Sequence, residues 1–578
     1  MFSNEMDSIM RNNMYCNKNQ VANRGLFLLF LGMLCGLMWA TSAYSAEIQL
    51  SGARITNASL ATADFNGDGY KEIVAGGSDG MLYVLSTSDG VNWNTVWSHQ
   101  CNDEIEAAGP PSHKSTNEIY ASPAIADLDG DGHLDIVVAM GGNIHVDDDS
   151  LRDNGGILVY RYNAAWNFSL IETLSADGSR GWPQPRIDEV GAGSGYSDPD
   201  GYWDGIMTTP ALGDLDGDGD LEIVVAGIDR RIHAWHHTGE VVDGWPIHRD
   251  NGDAITRGGI SSPALGDIDR DGQLEVVVAT MSPPWDTSQP VTSTNPDYTK
   301  GTLWVINGDS TNVPGFPIAT EQYFYSSPAL GDIDQDGYLE IIIGSGYGLT
   351  GRENIVSVYK YDGSLVSNWP QETAGLTMAS PALADIDQDG ALEIIIGCGS
   401  NTDWYACGNN GARLYAWNAD GTSVNGFPAA PPTGSDWSDE IFSMAYTPIV
   451  ADYDGDGNLE ILVVQVDAWG ITIVETDGST AGYRHTTYGL EAPPVVDDLD
   501  NDGKVEILIG GGDSNAVVDI WDEDGQVQSG GPADWPMDRG NILRTGLSGT
   551  VTTLPVPVPP PVPVEGGNII SVFSLLLE

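Results

Sequence analysis

Basic residues are scarce in this chain: 23 Lys and Arg stand against 83 Asp and Glu in 578 residues, a formal net charge of -60. Such a chain repels phosphate backbones and anionic lipid surfaces, which excludes nucleic acid and anionic membranes as partners and favours cations. Cysteine is scarce too, with five in all, and Cys16 and Cys35 lie in or before the one long apolar run. Disulfides therefore do not hold the fold together; Cys398 and Cys407 bracket a short loop and are read either as a local disulfide or as thiols, with Cys101 left odd. Long hydrophobic runs are missing apart from Gly25 to Ala40, 16 residues where a bilayer span needs ~20. Arg11, Lys18 and Arg24 precede that run and the small residues TSAYSAE follow it, the pattern of a secretory signal cleaved after Ala43, Ser45 or Ala46. The expected locations are secreted or cell-surface.

The chain is nonetheless rich in core material, with 41% hydrophobic residues, 17 Trp and 22 Tyr, so disorder is excluded despite the acidity. Its 72 Gly and 32 Pro favour many short strands over long helices. We divide it into a signal peptide (1–46), a repeat region (47–546), a stiff Pro-rich linker (547–566) and a short apolar tail (567–578).

One motif recurs eight times, beginning at Asp64, Asp127, Asp214, Asp267, Asp332, Asp385, Asp452 and Asp498. Positions 1 and 5 are always Asp and position 6 always Gly; position 3 is Asp except Asn66, and position 9 is Glu except Asp135. Oxygens at 1, 3 and 5 of a tight loop converge on one point, Gly at 6 permits the turn, and the carboxylate at 9 closes the shell. An all-oxygen shell of this kind suits a hard cation, and Ca2+ above Mg2+ because it tolerates irregular geometry. A backbone carbonyl serving at position 7 explains why that residue varies.

The expected ligands are thus Asp64, Asn66, Asp68, Tyr70 and Glu72; Asp127, Asp129, Asp131, His133 and Asp135; Asp214, Asp216, Asp218, Asp220 and Glu222; and Asp267, Asp269, Asp271, Gln273 and Glu275. The later loops supply Asp332, Asp334, Asp336, Tyr338 and Glu340; Asp385, Asp387, Asp389, Ala391 and Glu393; Asp452, Asp454, Asp456, Asn458 and Glu460; and Asp498, Asp500, Asp502, Lys504 and Glu506. Up to eight Ca2+ are expected.

An EF-hand would need Glu at position 12, which here is apolar throughout, and flanking helices, where β-branched runs such as EIVVAG and EIIIGSG stand instead. Each repeat continues with a third strand, an Asp-Gly-type turn and a fourth segment ending in an aromatic before Pro. Four short antiparallel strands per repeat make a propeller blade, so the fold class is all-β, a β-propeller of eight four-stranded blades, with seven as the alternative. The segment 46–52 could close the ring by pairing with the last blade.

The D-x-D-x-D-G-x-x-E loops, preceded by SPALGD-like segments and followed by an apolar strand, resemble the FG-GAP/VCBS repeats of the integrin α-chain propeller and its bacterial relatives. The resemblance implies Ca2+ between the first and second strands of each blade. The chain has no integrin stalk and carries the metal motif in all eight repeats, unlike integrin propellers.

Alternating strand direction puts the metal loops and the third-to-fourth turns on one face, and long varied connections on the other. Tyr202, Trp203, Trp285, Tyr298, Trp404, Tyr405 and Trp437 ride on those connections among Asp and Asn, a composition suited to stacking on sugar rings or anchoring a peptide, or to packing the loops down. Trp182, Trp245, Phe316, Trp369, Phe427 and Trp535 precede Pro at one recurring point and are expected between blades.

Catalytic signals are weak. Gly76 to Gly80 fits G-x-S-x-G but lies between two strands, Gly346, Gly348 and Gly351 lead into a strand, and no H-E-x-x-H occurs. His236 and His237 are expected at the surface. The expected role is a monomeric, exported module binding an extracellular glycan or protein. By resemblance to rhamnogalacturonan lyases, a calcium-dependent polysaccharide lyase using a patch such as Arg180 and Arg186 is an alternative; a purely structural surface protein is a third.

Overall fold

The computed structural model describes residues 45–545 apart from loop segments, the longest being 109–117, 142–153, 172–183, 188–205, 249–260, 283–299, 399–412, 431–445 and 523–536. Residues 1–44 of the expected signal, the linker, the tail, Cys407, Trp182, Trp535, Gly348 and Gly351 lie outside the described residues, whereas Ser45 and Ala46, placed in the signal, belong to a strand of the propeller. The Arg180 residue and all seven aromatics of the ligand-face expectation lie outside them as well.

Second strands such as Glu222–Ala226 and Glu460–Val464 are buried at every residue. Their unbroken β-branched runs follow from burial on both faces, because each sheet is sandwiched between two others. Eight antiparallel sheets result, one per repeat. Blade 1 is Ala61–Ala63, Glu72–Gly76, Met81–Ser86 and Asn94–Gln100. Blades 3, 4 and 7 have the same four-strand path, starting at Ala211–Gly213, Ala264–Gly266 and Ile449–Ala451.

Departures are local. Blade 2 pairs both Asn167–Leu170 and Gln184–Ile187 with its long third strand Asn154–Ala164. Blade 5 adds Tyr323–Phe324, paired to Glu340–Gly346, beside its four. Blade 6 shows three strands among the described residues, with a bridge from Leu414 to Ala429 where the fourth would run. Blade 8 is completed from the other end of the chain: Ser45–Gln49 pairs antiparallel with Val517–Asp522, as 46–52 was expected to do. The junction of blades 8 and 1 is closed by Asp497, which accepts from Thr62 Oγ1 and from Lys71 Nζ, both at 2.6 Å. A single seven-residue helix, Asn102–Ala108, follows blade 1 among the described residues; no helix there is long and apolar enough to cross a membrane.

The aromatics before proline do lie between blades where they are described. Trp245, Phe316, Trp369 and Phe427 are buried, each before a cis proline. Trp245 Nε1 donates to Gly308 O of the next blade at 2.9 Å, and Trp369 Nε1 to Ala419 O at 2.8 Å. The hydroxyl residue two positions before the first strand of blades 1 to 6, followed by Leu60 in blade 1 and by Pro in blades 2 to 6, has a role the sequence left unread. Ser59, Ser122, Thr209, Ser262 and Ser327 each donate a backbone N–H to the hydroxyl of the equivalent residue one blade on, Ser122, Thr209, Ser262, Ser327 and Ser380. This ladder runs around the inner strands.

The ring centre is filled by the segment after blade 8. Arg539 donates to Pro328 O and Pro263 O, and Arg544 to Leu60 O, Pro123 O and Asp538 O. Asp538 accepts from Ser122 Oγ and Thr447 Oγ1, and Thr545 O accepts from Leu265 N. First strands are sheet edges whose carbonyls need donors; two guanidiniums from one segment supply them to blades 1, 2, 4 and 5. Burial lowers both arginines to about 10, which leaves them charged at neutral pH.

Candidate metal centres

Each repeat motif joins the first strand of a blade to the second, and its backbone is the same in every blade. The Gly at position 6 has φ between 86° and 99°, a region other residues avoid. Position 4 lies between 58° and 77°, near the left-handed minimum, and there Arg270, Gln335, Gln388 and Asn501 replace Gly. Two of these side chains tie neighbouring loops together: Gln335 Nε2 donates to Gly390 O at 2.5 Å and Gln388 Nε2 to Gly457 O at 3.0 Å.

Three backbone hydrogen bonds repeat in all eight loops. The N–H of position 6 donates to the position-1 Oδ2, as from Gly272 to Asp267 at 3.1 Å. The N–H of position 7 donates to the position-5 Oδ1, as from Gln273 to Asp271 at 2.9 Å. The N–H of position 2 donates to one oxygen of the position-9 carboxylate, as from Ile268 to Glu275 at 2.7 Å. The position-9 carboxylate thus spends one oxygen on the loop and turns the other inward; at position 1, Asp64, Asp127, Asp214 and Asp452 accept loop N–H bonds on both oxygens, whereas Asp267, Asp332, Asp385 and Asp498 keep Oδ1 turned inward.

Those inward oxygens are the test of whether the loops fit a cation. Asp267 Oδ1, Asp332 Oδ1, Asp385 Oδ1 and Asp498 Oδ1 at position 1, and Glu275 Oε1 and Glu340 Oε1 at position 9, are buried and accept no hydrogen bond. A buried carboxylate oxygen without a partner costs several kcal/mol, and repetition at equivalent atoms marks a common missing charge. Ligand oxygens of Asp214, Asp216 and Asp218, of Asp267, Asp269 and Glu275, and of Asp332, Asp334 and Asp336 lie within 4.8 Å of one another, so these clusters could hold a metal ion. Burial pushes Glu72, Glu222, Glu275, Glu340 and Glu393 up to about 7, and Glu460 and Glu506 to about 8, with the loop aspartates adding to the rise. A bound cation would reverse both causes.

The sequence reading missed the residue across the sheet from position 9. His236, expected at the surface, turns Nδ1 to Glu222 Oε1 at 3.0 Å. Lys360 Nζ reaches Asp334 Oδ2 at 2.8 Å and Asp336 Oδ2 at 3.2 Å. In blade 2, Arg161 Nε donates to Asp135 Oδ1, Nη1 to Asp131 Oδ2 and Nη2 to Asp129 Oδ2, each at 2.9 Å. No local spacing signals these partners; the substitution of Asp135 for Glu was the one visible mark.

Elsewhere, Gly76 to Gly80 forms a hairpin turn between strands, as expected, with Gly80 at φ 76°. Cys101 is buried and accepts from Tyr160 OH at 3.5 Å, and Cys398 is buried on the second strand of blade 6.

The architecture is that of an eight-bladed β-propeller with acidic loops between the first and second strands of each blade. The chain carries FG-GAP repeats: the FG-GAP-like repeat matches residues 78–138 and 214–278, and the FG-GAP repeat matches 56–85 and 324–359. No curated protein sequence matches it. Among solved structures it is similar to the V. cholerae biofilm matrix protein Bap1, with 14% identity over 71% of this chain and 89% of that one and a TM-score of 0.35. It is also similar to rhamnogalacturonan lyase YesW, with 13% identity, 88% and 96% coverage and a TM-score of 0.43. A europium-containing methanol dehydrogenase gives 12% identity, 81% and 85% coverage and a TM-score of 0.48. None of the three bears on function.

Proposed function

We propose that the chain is an exported, calcium-binding propeller that serves as an extracellular binding or adhesion module for a glycan or protein ligand. The observation that carries the calcium reading is the set of buried, unpartnered inward oxygens at positions 1 and 9. Aspartates at positions 1, 3 and 5 and the carboxylate at 9 would hold the ion, which would supply positive charge and link the first strand of a blade to its second. Without it the inward carboxylates repel one another. EGTA treatment of calcium-loaded protein is therefore expected to lower the melting temperature strongly in scanning calorimetry; an unchanged transition would refute the calcium reading.

Export is supported by the basic, apolar and small-residue succession before the propeller. Ser45 and Ala46 pair with Trp521 and Ile520, so cleavage after Ala43 is the position that keeps the whole closing strand, and N-terminal sequencing of secreted protein checks this. The binding role is supported by the aromatic and acidic residues of the long connections opposite the metal loops. A glycan array is expected to return hits; hits accompanied by an unsaturated product absorbing in the ultraviolet would favour a lyase, and no ligand at all a structural protein.

A further inference from the structure

The eight loops differ in what the third strand places opposite the position-9 carboxylate. Register pairs Glu275 with Asn307, Glu460 with Glu475, Glu506 with Asp522, and Asp135 with Arg161. The facing residue is thus neutral in one loop, acidic in two and a guanidinium in blade 2.

Resting on the calcium reading above, we propose that Arg161 is the resident cation of the Asp127 loop, so that this loop takes no divalent ion and the chain binds at most seven. Its three donor nitrogens meet the inward oxygens of positions 3, 5 and 9, the atoms a metal would use, and Nη2 adds a second bond to Asp135 Oδ2 at 3.1 Å. Among the described residues this loop has no unpartnered buried oxygen, and neither have the loops at Asp64, Asp214 and Asp452, whereas those at Asp267, Asp332, Asp385 and Asp498 each keep at least one; what sets the Asp127 loop apart is that one side-chain cation meets the oxygens of positions 3, 5 and 9 together. A guanidinium stays charged at any physiological pH, and its planar fork binds carboxylates through directed, charge-assisted bonds. An entering ion would have to displace all four bonds and leave the cation without its anions. Position 9 fits the same account: the one loop with Arg opposite is the one with Asp instead of Glu, a methylene shorter, which makes room for the larger guest. The convergence of Asp127, Asp129 and Asp131 within 4.8 Å shows only that the backbone is shared.

Lys360 does not close its loop in this way. It reaches two inward oxygens and leaves Asp332 Oδ1 and Glu340 Oε1 without a hydrogen bond.

The test is calcium stoichiometry on the full chain, by equilibrium dialysis and elemental mass spectrometry after chelator stripping. Arg161→Asn is expected to bind one more ion per chain than the wild type, and the double change Asn307→Arg with Glu275→Asp one fewer. Calcium in the wild type with no gain in Arg161→Asn overturns the inference and leaves the calcium reading standing; no calcium in either protein overturns both. Should Arg161→Asn fail to fold by circular dichroism, anomalous diffraction from calcium-soaked wild-type crystals decides the matter. Signal at the Asp267 loop without signal at the Asp127 loop is expected, and signal at the Asp127 loop refutes the inference.

Discussion

The centre and the face of the propeller handle buried charge in opposite ways. At the centre, Arg539 and Arg544 are 1% and 0% exposed and donate to backbone carbonyls, with Arg539 Nε the one guanidinium nitrogen left without a partner, and the Asp538 charge acts on both. On the face, each buried loop carboxylate accepts a loop N–H, yet in four of the eight loops a buried oxygen at position 1 or 9 is left without a partner. A charge matched by dipoles of the fold is permanent, and its strength does not depend on the medium. A charge matched by a diffusible ion makes stability depend on that ion's concentration. The Asp127 loop is the exception on the face, built on the central plan with a side chain in place of a solute.

Removing a central cation should have the largest effect. Arg544→Met leaves the carbonyls of Leu60, Pro123 and Asp538 without their donor and the Asp538 charge without a neighbouring cation, and is expected to cost about 3–5 kcal/mol, equally in calcium and in EGTA, by chemical denaturation. A loss seen only in EGTA would break the contrast.

Asp519 lies in neither region and reports burial alone. It accepts from Tyr488 OH at 3.0 Å, and burial raises it to about 6, above the ~3.9 of an unfolded aspartate. The fold favours its protonated form, so its contribution is full below pH 4 and is lost as pH rises through 6. Asp519→Asn, neutral at every pH, is expected to match the wild type at pH 4 and exceed it by about 2 kcal/mol at pH 8, measured by urea titration at the two pH values.

On the face, Glu275→Gln is expected to lower the melting temperature by about 2 °C in calcium, a change near 1 kcal/mol, and to leave it equal or higher in EGTA, where the lost charge was unpaired. The smallest effect is expected from Lys360→Ala, which frees two oxygens of the Asp332 loop. Calcium affinity there should rise by a few-fold, within the ~1 kcal/mol typical of a partly exposed ion pair, read by titration calorimetry.

What the sequence disclosed follows the range of the interactions. The metal loops were legible because all four side-chain ligands fall within nine residues, and the blades because each strand carries its own burial pattern. Trp245 and Phe316 were placed between blades from their recurrence before Pro alone. The central segment was not legible: the carbonyls that Arg539 and Arg544 bind are 211 to 484 residues away, and nothing local distinguishes those arginines from surface ones. Arg161 was hidden for a related reason, since its meeting with Asp135 depends on cross-strand register fixed by a long connection. The hydroxyls before proline look like turn chemistry in one dimension and become a ladder only when the repeats are stacked in a ring.

Closure of the ring couples the two ends of the propeller in time. The strand Ser45–Gln49 is made first but can pair only once Val517–Asp522 has been made, and the segment from Met537 to Thr545 that fills the axis is made later still. During synthesis the early blades stand with open edges and an empty middle, and no partial ring can hold both arginines. A chain cut after blade 8 but before residue 537 would keep every metal loop and every sheet, yet lack the part that turns eight blades into one cooperative body.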